Sequence, residues 1–395
     1  MTDFEWTKSQ FHLPKGMIYL DGNSLGPLPL ATPEKVKSCM EAEWGEMLIT
    51  AWNKAGWMAL PTEMGNRIGR LIGAENETVV LGDTLSIKVF QALSAALSLT
   101  ERKVILSDTG NFPSDLYMAE GLIKQHPDCR LQTVSPEAIL DTLDTSVGVL
   151  MLTEVDYRTG RRHNMAEITK RAQELGVITV WDLAHSAGAT DVDLTGCNVD
   201  FAIGCTYKFL NSGPGGPAFI YVAPRHHANI DPVLSGWLGH RKPFDFDLSY
   251  APGEGIERMR VGTPPILQMA ALDAALDIWD KIDMKDVRQR SMDLGDHFIS
   301  AVQSRCPALK LASPKDAKDR GSQVSFHFDN GYPAMQAVIT EGVIGDFRAP
   351  DIMRFGITPL YTSFEDLDRA AAIIADILET GRWDQPQFHQ RSRVT

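Results

Sequence analysis

Lys208 follows Tyr207 at the end of an apolar run and precedes a Gly/Pro-rich turn, in GCTYKFLNSGPGG (Gly204–Gly216). Upstream, VITVWDLAH (Val177–His185) stays apolar until Asp182 and closes on His185. A lysine condenses with an aldehyde only as the neutral amine. A buried aspartate one strand away can hold a proton on a ring nitrogen. These are the two groups that a pyridoxal-phosphate site needs, because the cofactor stabilises a carbanion best when its pyridine nitrogen is protonated. An isolated Asp and Lys at a sheet rim is more often a structural ion pair. Ala184–His185 after the aspartate and Tyr207 before the lysine favour the chemical reading.

Two further segments could serve the same ligand. In LGDTLSIKVF (Leu81–Phe90) a strand ends, a polar turn follows and an amphipathic helix opens. Thr84 and Ser86 are suitable caps, and the free N–H groups of a helix start favour phosphate. Most helices begin this way and bind nothing, so the segment gains weight only from its place in the first α/β unit. In NFPSDLY (Asn111–Tyr117), Phe112 before a proline turn could offer its face to a flat ring, with Asp115 near the ring substituents. Alone, that segment would be read as a turn with a core Phe.

The elements that must position these groups are short apolar runs: Thr78–Leu81, Lys103–Leu106, Val147–Leu152, Val177–Trp181, Phe201–Gly204 and Ala218–Val222. Between them lie helical patterns such as Ser86–Leu97 and Ala166–Leu175. Continuous apolar strands separated by helices imply an α/β fold with a mostly parallel sheet covered on both faces. Ligands of such sheets bind outside the carboxyl ends of the strands, where Asp182 and Lys208 both arrive. After Pro264–Pro265 the pattern changes to long helices, Ile266–Ile282 and Val287–Val302, then mixed strands and helices ending with Phe364–Glu379. The expected organisation is an N-terminal arm and helix (1–50), a large cofactor-binding domain (51–264) and a smaller C-terminal α+β domain (265–395).

Bulk properties limit the partners. The 395 residues carry 51 acidic and 38 basic side chains, a net charge of −13 without long charge blocks. That balance argues against nucleic acid or an anionic membrane surface as the main partner. Five widely spaced cysteines with no C-x-x-C suggest free thiols in a reducing compartment, and the ten histidines lack metal-ligand spacing, so no metal is expected. No signal-peptide pattern or membrane-length apolar stretch occurs, and the expected location is cytoplasmic.

The motifs together resemble fold-type-I pyridoxal-phosphate enzymes of the aminotransferase class V kind, and more closely the kynureninase family. DLAHSAGA (Asp182–Ala189) and TYKFLNSGPGG set the superfamily. YLDGNSLGPLP (Tyr19–Pro29), AWNKAGW (Ala51–Trp57), SGWLGH (Ser235–His240), RVGTPP (Arg260–Pro265) and MRFGITPLYTSF (Met353–Phe364) point to the narrower family. The resemblance implies that Lys208 carries the cofactor as a Schiff base, Asp182 pairs with the pyridine nitrogen and Phe112 stacks on the ring. Leu85, Ser86 and Tyr207 would serve the phosphate, Asp115 and Thr153 would sit beside the ring, and His185 would hold Asp182 or line the same wall. Trp237 and Thr263 would reach the cofactor from the partner subunit of a homodimer. Arg354 would clamp the substrate α-carboxylate, as guanidinium and carboxylate match bidentately. Asn23, Ser24 and Trp52 would line the substrate side. The implied reaction is hydrolysis of L-kynurenine or its 3-hydroxy derivative to an anthranilate and L-alanine, in tryptophan catabolism and NAD biosynthesis, with Tyr207 an acid/base beside Lys208.

The nearest rival is a cysteine desulfurase or aminotransferase of the same fold. A desulfurase needs a nucleophilic cysteine on a mobile loop before the final strand, and Ala334–Pro350 contains none. A non-catalytic cofactor-binding regulatory module would have no use for a carboxylate clamp.

Overall fold

In a computed structural model, which describes residues 1–391, the chain begins with an arm laid across the rest of the molecule. Its two-residue strand β1 (Ile18–Tyr19) pairs in parallel with β11 (Val343–Ile344), far along the chain. The last four residues of the expected C-terminal domain lie outside the described residues.

The central sheet follows from the apolar runs. Its strands are β2 (Val79–Leu81), β3 (Val104–Asp108), β4 (Arg130–Val134), β5 (Val147–Thr153), β6 (Ile178–Asp182), β7 (Phe201–Gly204) and β8 (Phe219–Val222), in the order β2-β8-β7-β6-β5-β3-β4. The pairs from β7 to β4 are parallel, and β8 runs against both its neighbours. Each residue of β5 is buried, as expected of a strand covered on both faces. The edge strand β4, RLQTV, has only exposed and half-buried positions. It therefore lacks the continuous apolar signal that reveals the others.

The first core spreads over one face of this sheet and includes Trp181, Phe219, Leu272, Leu276 and Trp279. The helix Ile266–Trp279 thus packs into the large-domain core, although it follows the double proline at which the sequence pattern changes. A second core takes in Ile18 and Leu20 of the arm and is centred on Phe298, Phe326 and Phe355, whose rings meet edge to face. It joins the helices Met284–Arg305 and Phe364–Glu379 to a four-stranded sheet. That sheet has the order β12-β13-β10-β9, from β9 (Lys310–Leu311), β10 (Gln323–His327), β12 (Asp346–Arg348) and β13 (Ile352–Gly356).

Two glycines explain how the arm reaches the interior. A Cβ at Gly26 would sit 2.4 Å from the Lys208 carbonyl oxygen, and one at Gly356 would sit 2.1 Å from Asn23 Oδ1. Neither gap admits a side chain, so GNSLG and RFG are the places where the arm is pressed between the two domains. Among the described residues, no helix is long and apolar enough to cross a membrane.

Candidate active site

A cavity of about 700 Å³ opens at the carboxyl ends of the parallel strands, between the large domain, the arm and the small domain. That volume is typical of a small-molecule site. β6 delivers Asp182 and, past its end, His185; the segment after β7 delivers Tyr207 and Lys208; the turn after β3 delivers Phe112. All are rim residues for the same reason, because parallel strands end on one side of the sheet.

Lys208 Nζ lies 2.9 Å from His185 Nε2 and 5.8 Å from the centroid of the Phe112 ring. Phe112 is 38% exposed, so its face is offered to the cavity rather than spent in the core. Its ring is braced edge-on by Tyr157 at 5.0 Å. Asp182 is buried and accepts a hydrogen bond from the Ala184 N–H at 2.7 Å.

Burial dominates the electrostatics of this wall. It raises the Asp182 carboxyl above its ordinary range, against the pull of Lys208 and of the Ala184 N–H. Burial, followed by the charge of Asp182, raises Asp115 further still. Burial thus presses Asp115 toward its neutral form more strongly than Asp182, whose carboxylate is also drawn toward Lys208. Burial and then Lys208 hold His185 well below its usual value, so the ring beside the lysine is neutral. The neighbouring Cys205, and then burial, push the Tyr207 phenol up, so it stays protonated. Cys205 also lines the cavity, but burial raises its thiol, which is the setting of an inert cysteine.

The helix Leu85–Ser98 starts at the cavity with Leu85 and Ser86 in its wall. Here the structure corrects the expected cap: Thr84 occupies the N-cap position but its side chain caps nothing. The first N–H groups are left for another acceptor, as an anion site requires. These features fit pyridoxal phosphate, with Lys208 for its aldehyde, Asp182 for its ring nitrogen, Phe112 for its face and the helix start at Leu85–Ser86 for its phosphate.

On the opposite wall, Arg354 is 1% exposed and held by four of its five N–H bonds. Asp346 accepts from Nε and Nη2, Ser24 Oγ accepts from Nη2, and the Tyr157 carbonyl accepts from Nη1. Asp346 and Arg354 are direct register partners across β12 and β13. Asn23 is buried in the cavity wall with both side-chain polar atoms unpartnered among the described residues.

Five expected residues stand elsewhere. Thr153 and Asp115 do not line the cavity; Thr153 donates to Asn111 Oδ1 and so acts behind the Phe112 turn. Trp52 is also absent from the lining, because the short helix Ala51–Lys54 turns its indole edge-on against Trp57 at 5.9 Å. Trp237 and Thr263 are exposed and line two other pockets. Residues that the sequence reading passed over are Asp346, Arg348, Asp21 and Ser114. The signal for the first two was GDFR and IMRFG flanking a proline turn, a hairpin that sets opposite charges face to face.

Solved structures share this architecture. The cystine C–S lyase C-DES, in a form with glycine covalently linked to the PLP cofactor, superposes with a TM-score of 0.82 at 18% identity, covering 95% of this chain and 100% of its own. The cysteine desulfurase CsdA of Escherichia coli gives 0.79 at 17% identity, covering 96% and 99%. The cysteine desulfurase of Thermococcus onnurineus gives 0.80 at 18%, with the same coverage. The fold is therefore that of the fold-type-I pyridoxal-phosphate enzymes. Sequence relatives narrow the class. Proteins named kynureninase from Burkholderia mallei and Burkholderia pseudomallei are 47% identical over 98% of this chain and 95% of theirs. One from Pseudomonas fluorescens is 46% identical over the same shares. The family model for the kynureninase C-terminal domain matches residues 287–374. The chain belongs to the kynureninase family.

Proposed function

We propose that this chain hydrolyses L-kynurenine, or its ring-hydroxylated derivative, to an anthranilate and L-alanine with pyridoxal phosphate as cofactor. The observation that carries this reading is a single cavity with Lys208, Asp182 and Phe112 on one wall and Arg354 on the other. When bound, the cofactor supplies an electron sink for bonds at the amino acid's α- and β-carbons. Lys208 is the amine placed to hold it and, once displaced, to move the α-proton. Asp182 keeps a proton on the ring nitrogen. His185, neutral and 2.9 Å from Lys208 Nζ, can accept a hydrogen bond from the lysine without competing for charge. Tyr207 keeps its proton and serves as the acid that returns one to the departing alanine fragment. Arg354 fixes the α-carboxylate, and so sets which bond is presented to the cofactor face.

The test is anthranilate fluorescence from purified, cofactor-loaded protein and L-kynurenine. The wild-type chain makes anthranilate, and Lys208→Ala loses at least about 10³-fold of that rate. Full turnover by Lys208→Ala would end the assignment of the lysine.

The second part of the reading is a homodimer. Trp237 is 42% exposed and gathered with Phe244 and Phe246, an aromatic patch that water does not favour and that a second copy would cover. With Thr263, it would then complete the site next door. Light scattering at assay concentration should return twice the chain mass, and a fully active monomer would overturn this part.

A further inference from the structure

Arg354 is short of free donors. Asp346, Ser24 and the Tyr157 carbonyl occupy four of its N–H bonds, and its side chain is 1% exposed. A carboxylate held in a fork needs two N–H groups, and Arg354 has one to spare. A second guanidinium stands next to it. Arg348 lines the same cavity, is 33% exposed at its side chain and lies 2.7 Å from Asp346 Oδ2 through Nη2. Its Nη1 donates to its own strand, at the Phe347 carbonyl, and its Nη2 reaches Ser24 Oγ only at 3.5 Å. Asp346, fully buried, is thus shared by two arginines, one sunk in protein and one turned to the cavity.

We propose that Arg348 is a substrate-binding residue that takes the α-carboxylate together with Arg354, and that Asp346 is the counter-ion that keeps Arg354 in place while Arg348 engages the ligand. This rests on the kynurenine-cleaving reading for the identity of the substrate, but not for the presence of an α-carboxylate. The two arginines share Ser24 and Asp346, so they address the same end of the ligand. Arg348 is also the cheaper one to recruit: it is partly solvated already, and with Asp346 balancing only one of the two arginines, one positive charge is left for the carboxylate.

The test uses cofactor-loaded wild type, Arg348→Gln and Arg348→Lys. With L-kynurenine, Arg348→Gln should raise KM by about tenfold, the value of one charge-assisted hydrogen bond, while kcat falls by less. Arg348→Lys should recover part of the loss. Kynurenamine, the same amine without the α-carboxylate, should inhibit wild type and Arg348→Gln with equal constants. An unchanged KM, or an equal loss of affinity for kynurenamine, overturns the proposal; a fall in kcat alone would move Arg348 to the carbonyl end and overturn it too. Binding of L-alanine, followed through the cofactor's visible absorbance, separates this from the wider reading. If the wild-type chain made no anthranilate, a weakened L-alanine affinity in Arg348→Gln would still uphold the carboxylate role, and an unchanged one would end it. Cofactor content and Tm of each variant identify a folding failure, in which case Arg348→Lys decides the matter.

Discussion

The two walls of the cavity are built on opposite electrostatic plans. At the sheet-rim wall, burial is the largest influence on Asp182, His185 and, behind them, Asp115, and it pushes each toward its neutral form. On the wall made by the arm and the small domain, charges are kept and paired. Burial works against the Asp346 carboxylate, yet Arg354 and then Arg348 outweigh it and hold the acid below its ordinary value. The difference suits the two tasks proposed for them. Proton traffic at a cofactor needs groups that change or withhold protons near neutral pH. Recognition of a carboxylate needs cations that never lose theirs. The large domain can provide the first setting because the strands ending there are buried on both faces. The second is assembled across a domain junction, where the arm and a hairpin bring opposite charges together.

Matched substitutions would break this comparison if it is wrong. Asp182→Asn should lower kcat by about 10²-fold or more, because an amide cannot hold a ring nitrogen's proton as a carboxylate does. The cofactor-free variant should be no less stable than wild type. An acid whose folded-state pKa is raised favours folding below its unfolded pKa and loses that contribution as pH rises, so at neutral pH its ionised form is a cost that asparagine lacks. Asp346→Asn should do the reverse to stability, leaving two arginines facing one uncharged amide, at about 3 kcal/mol. Thermal melts of both cofactor-free proteins at one pH check this. Equal losses of Tm would mean that the walls do not differ in kind.

Much of the first wall was legible in the sequence, and much less of the second. β6 and β7 announce themselves as apolar runs, each followed by chemistry, so Asp182 and Lys208 could be placed at one rim from the α/β pattern of those runs and the rule that ligands bind at the strands' carboxyl ends. The Thr84 cap was misjudged for a physical reason: sequence shows a side chain able to cap, but not whether its oxygen turns to the backbone. Arg354 came from a family motif. Its partner Asp346 did not, because an ion pair across a hairpin depends on a register that residues 349–351 set, and no periodicity reports it. Trp52 was assigned to the substrate side through its motif, yet the local turn of Ala51–Lys54 directs its ring to Trp57. The core boundary was equally hidden, since the helix Ile266–Trp279 looks the same in sequence whichever core it joins.

Asp21 sharpens the comparison most finely, because it belongs to the charged wall but behaves like the other one. Its Oδ1 is buried without a hydrogen-bond partner among the described residues. Burial first, and then the charge of Asp346, raise its carboxyl to about 7, while Arg354, Ser24 and Arg348 pull the other way. Tyr19, on the same arm, faces the same cluster and stays a neutral phenol, since burial and then Asp21 raise it as well. Below about pH 7, Asp21 is neutral, and Asp346, Arg348 and Arg354 leave one net positive charge for an incoming carboxylate. Above it, Asp21 ionises and the cluster balances to zero. The affinity for L-kynurenine should therefore weaken several-fold, by about 1 kcal/mol, as pH rises from 6 to 8.5. Asp21→Asn should flatten that dependence and keep the low-pH affinity throughout. The linked stability has a fixed sign. A folded-state pKa above the unfolded one favours folding at low pH, and the contribution is lost as pH climbs from the ordinary aspartate value through about 7. Asp21→Asn should then raise Tm more at pH 8 than at pH 5. A steady KM across that range in wild type, or the same slope in Asp21→Asn, would return Asp21 to an ordinary buried acid and leave the charged wall without a titrating member.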